Sequence, residues 1–139
     1  MHDDLERLIA ERFVLMRREL HLDTDFGYWG YAVPNGWFSL LVQFAKTLEE
    51  IEPQDLVIYQ IKEKLNRLVV CCECTGQDET IAALDDLEVV VERESQLICG
   101  RCGERLGDDH ECHPRSENHE EMVAWATDCI AKSRRISVT

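Results

Sequence analysis

Cys99-Gly-Arg-Cys102-Gly103 carries the strongest chemical information in the chain. Two thiolates separated by two residues can wrap one tetrahedral ion in a tight knuckle, and a glycine after the second cysteine relieves the backbone there. A redox pair uses the same spacing, but it opens a helix after a strand in a βαβ pattern, and no such pattern surrounds this segment. A closed structural site takes four ligands. Downstream stand His110, Cys112, His113, His119 and Cys129. Adjacent Cys112 and His113 rarely both reach one ion, so one of them is expected to serve. The expected set is Cys99, Cys102, Cys112 and Cys129, with His113 or His119 as substitutes. Cys129 shares a helical face with Trp125 four residues earlier, so a buried thiol is a nearly equal reading for it. The expected ion is a structural Zn²⁺, because a segment with few large apolar side chains gains its missing folding free energy from a metal. A catalytic zinc needs an open position and a general base, for instance on a His-Glu-x-x-His helix; His119-Glu120-Glu121 lacks the second histidine.

The other chemistry-bearing groups are weaker. Cys71, Cys72 and Cys74 fall in a strand-like run, where alternation puts Cys72 and Cys74 on one face and Cys71 on the other; small buried hydrophobes are their expected role. Gly27, Gly30 and Gly36 form no phosphate-cradling motif. Paired acids such as Glu49-Glu50, Asp85-Asp86 and Asp108-Asp109 read as solvated faces, since nothing isolates one in an apolar pocket. No catalytic residue is assigned, and the chain is expected not to be an enzyme. Tyr28, Trp29 and Tyr31 lie in an aromatic loop and are candidate partner anchors, because tryptophan and tyrosine dominate interface hot spots. Asp85, Asp86, Glu88, Asp108 and Asp109 are the candidate acidic contacts.

The elements that must position these groups follow from periodicity. The 139 residues are 45% hydrophobic and 31% charged, which describes one folded domain or a domain with a small appendage. Apolar residues from Leu5 to Leu20 predict a helix over 3–20, started by Asp3 and Glu6. Residues 21–36 are rich in glycine and aromatics and predict a loop folded onto the domain. A helix over 37–50 follows, closed by Pro53, with Trp37 on its buried stripe. Leu56–Ile61 and Leu68–Cys72 predict a β-hairpin. Asp78 is a candidate N-cap for a helix to Ser95, and Met122, Trp125, Cys129 and Ile130 mark a last short helix. The fold class is therefore α+β: three helices on a hairpin or small antiparallel sheet, as a core domain over 1–95. A zinc-ribbon-like module with a C-terminal helix is expected over 96–139.

Charge bounds the partners. Twenty-eight acidic against fifteen basic side chains leave a net charge of −13. Such a surface repels phosphate backbones and anionic lipid, and favours a basic partner, of which nucleic-acid-binding grooves are a common kind. Met1-His2-Asp3-Asp4 has no apolar run behind it, so no secretory signal is expected, and the seven cysteines read as thiols or metal ligands of a reducing, cytoplasmic compartment.

Gly36-Trp37-Phe38-x-Leu40-Leu41, Gln60-Ile61-Lys62-Glu63-Lys64, Glu92-x-x-Ser95, Cys99-x-x-Cys102-Gly103 and Trp125-x-Thr127-x-Cys129 occur in this order. The series, over roughly residues 36–131, resembles a family of small proteins of phages and prophages with the pattern GWF, QIKEK, ExxS, CxxCG and WxTxC. The resemblance carries over Cys99, Cys102 and Cys129 as ligands. Two departures stand out: Asn66-Arg67 replaces the usual glycine-containing turn, and Lys132 stands where a last ligand is expected. Within that setting the chain is similar to a zinc-containing type I-F anti-CRISPR, which binds backbone subunits of an RNA-guided surveillance complex and disassembles it. The resemblance thus implies a non-enzymatic anti-defence protein acting in the cytoplasm of a host bacterium on a complex with a basic RNA-binding surface, without touching nucleic acid or membrane itself. The alternatives are an acidic phage protein that mimics DNA or modulates a host transcription or nucleic-acid enzyme, a zinc-dependent enzyme, and a virion protein.

Overall fold

A computed structural model describes residues 1–137. Five α-helices and one two-stranded antiparallel sheet succeed one another as α1 (Asp3–Arg12), α2 (Asp25–Trp29), α3 (Phe38–Ile51), β1 (Gln54–Lys64), β2 (Arg67–Thr75), α4 (Asp78–Ser95) and α5 (His119–Lys132). The α+β class holds; four helices rather than the expected three precede residue 96, the additional one being α2, and α5 is the expected C-terminal helix.

The helix expected over 3–20 ends at Arg12. Phe13 is extended (φ −128°), and two short 3₁₀ turns, Val14–Met16 and Arg18–Leu20, carry the chain on. The chain leaves the helix at Phe13 with Phe13 and Met16 still buried, whereas Leu20, the last residue of the periodic stripe, is left on the surface. The cap is also displaced. His2, rather than Asp3, occupies the N-cap, its Nδ1 accepting the Asp4 N–H at 3.1 Å. Likewise Gln77, with no side-chain cap bond, precedes the helix that Asp78 opens.

The loop over 21–36 contains a helical turn that glycine content argues against. Thr24 caps α2 by accepting the Gly27 N–H at 3.0 Å, and Gly30 ends it at φ +74°. The loop is tied to the edge of β1 by Ala32, whose N–H donates to Ile61 O (3.1 Å) and whose carbonyl accepts from Glu63 N (3.0 Å).

α3 is buried along Phe38, Leu41, Phe44, Ala45 and Leu48, as its spacing predicts, and Glu52 stops it in the left-handed region at φ 53° just before Pro53. β1 and β2 pair from Lys64↔Arg67 outward, with a bulge between Ile58 and Gln60 that lets Ile58 and Ile61 both face inward. Leu68, Val70 and Cys72 alternate into the core, with Cys74 packed against it, as the strand pattern requires. α4 covers this face of β2 with Leu84, Leu87 and Val91. Its last residue, Ser95, accepts the buried Leu68 N–H at 2.9 Å and donates to Glu92 O. α5 packs on α1 and α3, and its Met122 and Ala126, with Ile136 beyond it, join the same buried cluster as Leu5, Phe38 and Leu48.

Candidate metal centre

Between α4 and α5 the chain makes a narrow, hydrogen-bonded loop. The Leu106 N–H donates to Leu97 O (2.8 Å), the Cys99 N–H to Glu104 O (2.7 Å) and the Gly103 N–H back to Cys99 O (2.8 Å). This folds Cys99 and Cys102 onto one side of a tight turn, with Gly103 at φ +81°. A second turn, closed by His110 N–H to Gly107 O at 3.1 Å, brings His110 and Cys112 back over them.

Four donor atoms converge there: the sulfurs of Cys99, Cys102 and Cys112 and a ring nitrogen of His110, all within 4.8 Å of one another. Cys99 Sγ lies 3.6 Å from Cys112 Sγ, and Cys102 Sγ 3.6 Å from His110 Nε2. A tetrahedral zinc centre with metal–sulfur bonds of about 2.3 Å and metal–nitrogen bonds of about 2.0–2.1 Å has ligand–ligand edges of roughly 3.5–3.8 Å. The spacing is also far too long for a disulfide, and every cysteine is free. The four residues can hold one metal ion.

The electrostatics agree with the geometry. Burial disfavours the Cys99 thiolate, but the backbone N–H groups of Cys102 and Arg101, with the His110 and Cys102 side chains, aim at its sulfur and bring the thiol down to about 6. Burial and the neighbouring Cys99 and Cys102 sulfurs push Cys112 up to about 11. Three thiolates crowded together repel one another unless a cation neutralises them, which is the condition a bound metal meets.

The knuckle is welded to the core by residues of the sequence series. The Gly36 N–H donates to Gly100 O at 2.8 Å, and a Cβ on Gly36 would stand 2.4 Å from Cys99 O, so only glycine permits this approach. Trp37, itself buried, donates its indole N–H to Ile98 O (3.2 Å). Arg115 donates to Cys102 O (3.1 Å) while its guanidinium lies 4.7 Å from the Trp125 ring centroid. Gly103 is wedged between Gly36 and Trp125.

Of the expected ligands, Cys99, Cys102 and Cys112 come together and Cys129 does not. His110 takes the fourth place. Cys129 lies one turn beyond Trp125, about 6 Å further along α5. There it packs against the core, and burial pushes its thiol up to about 11. The substitutes are elsewhere too: His113 is exposed beside Glu111, and His119 Nδ1 pairs with Asp4 Oδ2 at 2.7 Å, tying α5 to α1. His-x-Cys after Cys-x-x-Cys is a second chelating pair, and that symmetry was the available clue to His110.

The candidate contact residues divide. Tyr28 and Trp29 are 72% and 70% exposed, whereas Tyr31 is buried to 2% and donates its hydroxyl to Met16 O at 2.7 Å, so it supports the core and presents no anchor. Asp85, Asp86, Asp108 and Asp109 are exposed. Glu88 turns inward and accepts from Cys72 N (2.9 Å) and Cys72 Sγ (3.2 Å); burial raises its carboxyl, and it is a sheet brace. No protein-family model, curated protein or solved structure matches the chain. No helix among the described residues is long and apolar enough to cross a membrane.

Proposed function

We propose that the protein acts by adhesion and not by turnover: an acidic binding protein whose Cys99, Cys102, His110 and Cys112 hold a structural Zn²⁺. The observation that carries this reading is the donor set. Three sulfurs and one nitrogen lie within 4.8 Å of one another, two of the pairs at 3.6 Å, and an ion taken by all four would have a full tetrahedral shell with no position for a substrate or activated water. Around it stand contacts that fix the loop, namely Gly36, Trp37, Arg115 and Trp125. Zinc would supply there a rigid cross-link between two turns that few apolar side chains hold.

The partner that suits a chain of net charge −13 is a basic protein surface. Charge complementarity would set on-rate and register, and apolar anchors would hold the complex. With the resemblance to phage anti-defence proteins, the specific reading is a protein that occupies the basic RNA-binding surface of a bacterial type I CRISPR effector in the host cytoplasm. Binding a free backbone subunit more tightly than its neighbour or RNA does would then suffice to disassemble the oligomer without nucleotide energy.

The test is affinity purification of a tagged copy from bacterial lysate at low and high salt. The expected result is co-purification of a nucleic-acid-handling complex whose retention falls steeply as salt rises. A salt-insensitive partner, or no partner, would contradict the reading.

A further inference from the structure

The segment after α1 is constructed as a rigid display. Phe26 and Tyr31 are buried edge to face with centroids 5.1 Å apart, and the buried His21 ring stacks at 5.5 Å from Phe26. Thr24 Oγ1 donates to His21 O at 2.7 Å, and Arg18 donates through Nε to Gly27 O at 3.1 Å and through Nη2 to Tyr28 O. Gly27 has no room for a side chain, since a Cβ would stand 2.2 Å from His21 O. The backbone of α2 is thus held from beneath at Gly27 and Tyr28.

Above this scaffold three large apolar side chains point outward. Leu22 is 71% exposed, as are Tyr28 and Trp29 to nearly the same extent, and the two aromatic rings meet edge to face at 4.7 Å. Clustered exposure of large apolar side chains of this kind marks interaction surfaces. Leu22, Asp23, Asp25 and Tyr28 line one open hollow of about 520 Å³, while Asp25 and Trp29 line a second of about 160 Å³ that reaches Gln60 and Lys62. Asp25 belongs to both, so the surface is continuous across α2. Its carboxylate is steadied by the Gln60 amide at 2.8 Å, and Asp23 is exposed at φ 66°.

Aromatic faces beside two carboxylates, that of Asp25 held by Gln60, suit one chemistry. A guanidinium stacks on tryptophan or tyrosine, pairs with a carboxylate through its fork of donors, and lays its aliphatic stem against leucine. An anionic occupant would be repelled both locally and by the whole molecule. We propose that Leu22, Tyr28 and Trp29, with the carboxylates of Asp23 and Asp25, form a preorganised docking platform for an arginine-bearing segment of a partner protein. This deepens the adhesion reading above and rests on it.

The experiment is calorimetric titration of the metal-loaded protein with a synthetic peptide of alternating Arg and Leu, alongside versions carrying Lys or Glu in place of Arg. The Arg peptide should bind, the Lys version more weakly, and the Glu version not at all. Trp29→Ala should weaken the Arg peptide at least tenfold, and the pair Asp23→Asn and Asp25→Asn by a similar factor, with unchanged circular dichroism. The pair Asp85→Asn and Asp86→Asn on α4 should leave affinity within twofold. An Arg peptide that fails to bind, or binds Trp29→Ala as well as the parent, overturns the platform. In that event the adhesion reading is judged separately by the salt-dependent co-purification, and loss of binding in the α4 pair would move the contact there. A dimer that sediments as monomer after Trp29→Ala would assign the surface to a second copy of this chain and equally overturn the proposal.

Discussion

His21 shows how much one side chain can fix. It is buried, and the Ile58 N–H donates to its Nδ1 at 3.0 Å, so Nε2 must carry the proton and donate to Leu15 O at 2.8 Å. An imidazolium has no acceptor for Ile58, and burial accordingly holds the pKa below the ordinary 6.5. The unfolded chain binds the proton more readily than the folded one. The contribution of His21 to stability is therefore complete above about pH 6.5 and is lost as pH falls from there toward the depressed folded value. His21→Ala should cost about 1–3 kcal/mol at pH 7.5, since it strands the Ile58 N–H. The gap between parent and variant, measured by urea unfolding at each pH so that other groups cancel, should narrow between pH 6.5 and 5. A constant gap would contradict the neutral assignment. Nothing in the local sequence singles out His21, because its partners stand 6 and 37 residues away. The same limit applies to ligand choice. Cys99, Cys102 and Cys112 are legible from residue type and spacing, whereas deciding between His110 and Cys129 requires the loop path, and a loop has no period to read.

At the scale of elements, regular segments were legible and irregular ones were not. The buried stripes of α3 and α4 and the alternation of β2 express a single repeating geometry, so their faces follow directly from sequence. The end of α1 and the presence of α2 depend on contacts made far along the chain: Phe13 leaves the helix for the core, and Thr24 caps a turn among glycines. The hairpin tip lies between these extremes. Lys64 pairs with Arg67 across a two-residue loop in which Leu65 (φ 50°) and Asn66 (φ 64°) are both left-handed, as a type I′ turn requires. Asparagine suits that conformation, but leucine does not, and Leu65 is 84% exposed with no packing in return. Leu65→Gly should therefore stabilise the fold by about 1 kcal/mol, raising the urea midpoint at unchanged slope. A lower midpoint would mean that the Leu65 side chain contributes to the native state in a way its exposure conceals.

Across the whole molecule, the loop between α4 and α5 is the part least supported by apolar burial. Its residues 103–111 are largely exposed, and Leu106 is half exposed, yet the loop touches the turn that leads into α3 through Gly36 and Trp37, and α5 through Trp125. A metal held by this loop would thereby be coupled to the seating of α5 on α1 and α3, and its binding free energy would become folding free energy. The net charge of −13 is spread over 8309 Å² of surface, so the same cross-link would also restrain a segment that self-repulsion loosens. The most direct measurement is zinc content per chain, with the thermal midpoint, for the parent, Cys112→Ala, His110→Ala and Cys129→Ala. One equivalent is expected in the parent and in Cys129→Ala, with loss of the ion and a midpoint lowered by more than about 5 °C in the other two. A parent free of metal, or an ion that survives Cys112→Ala and vanishes with Cys129→Ala, would contradict the account.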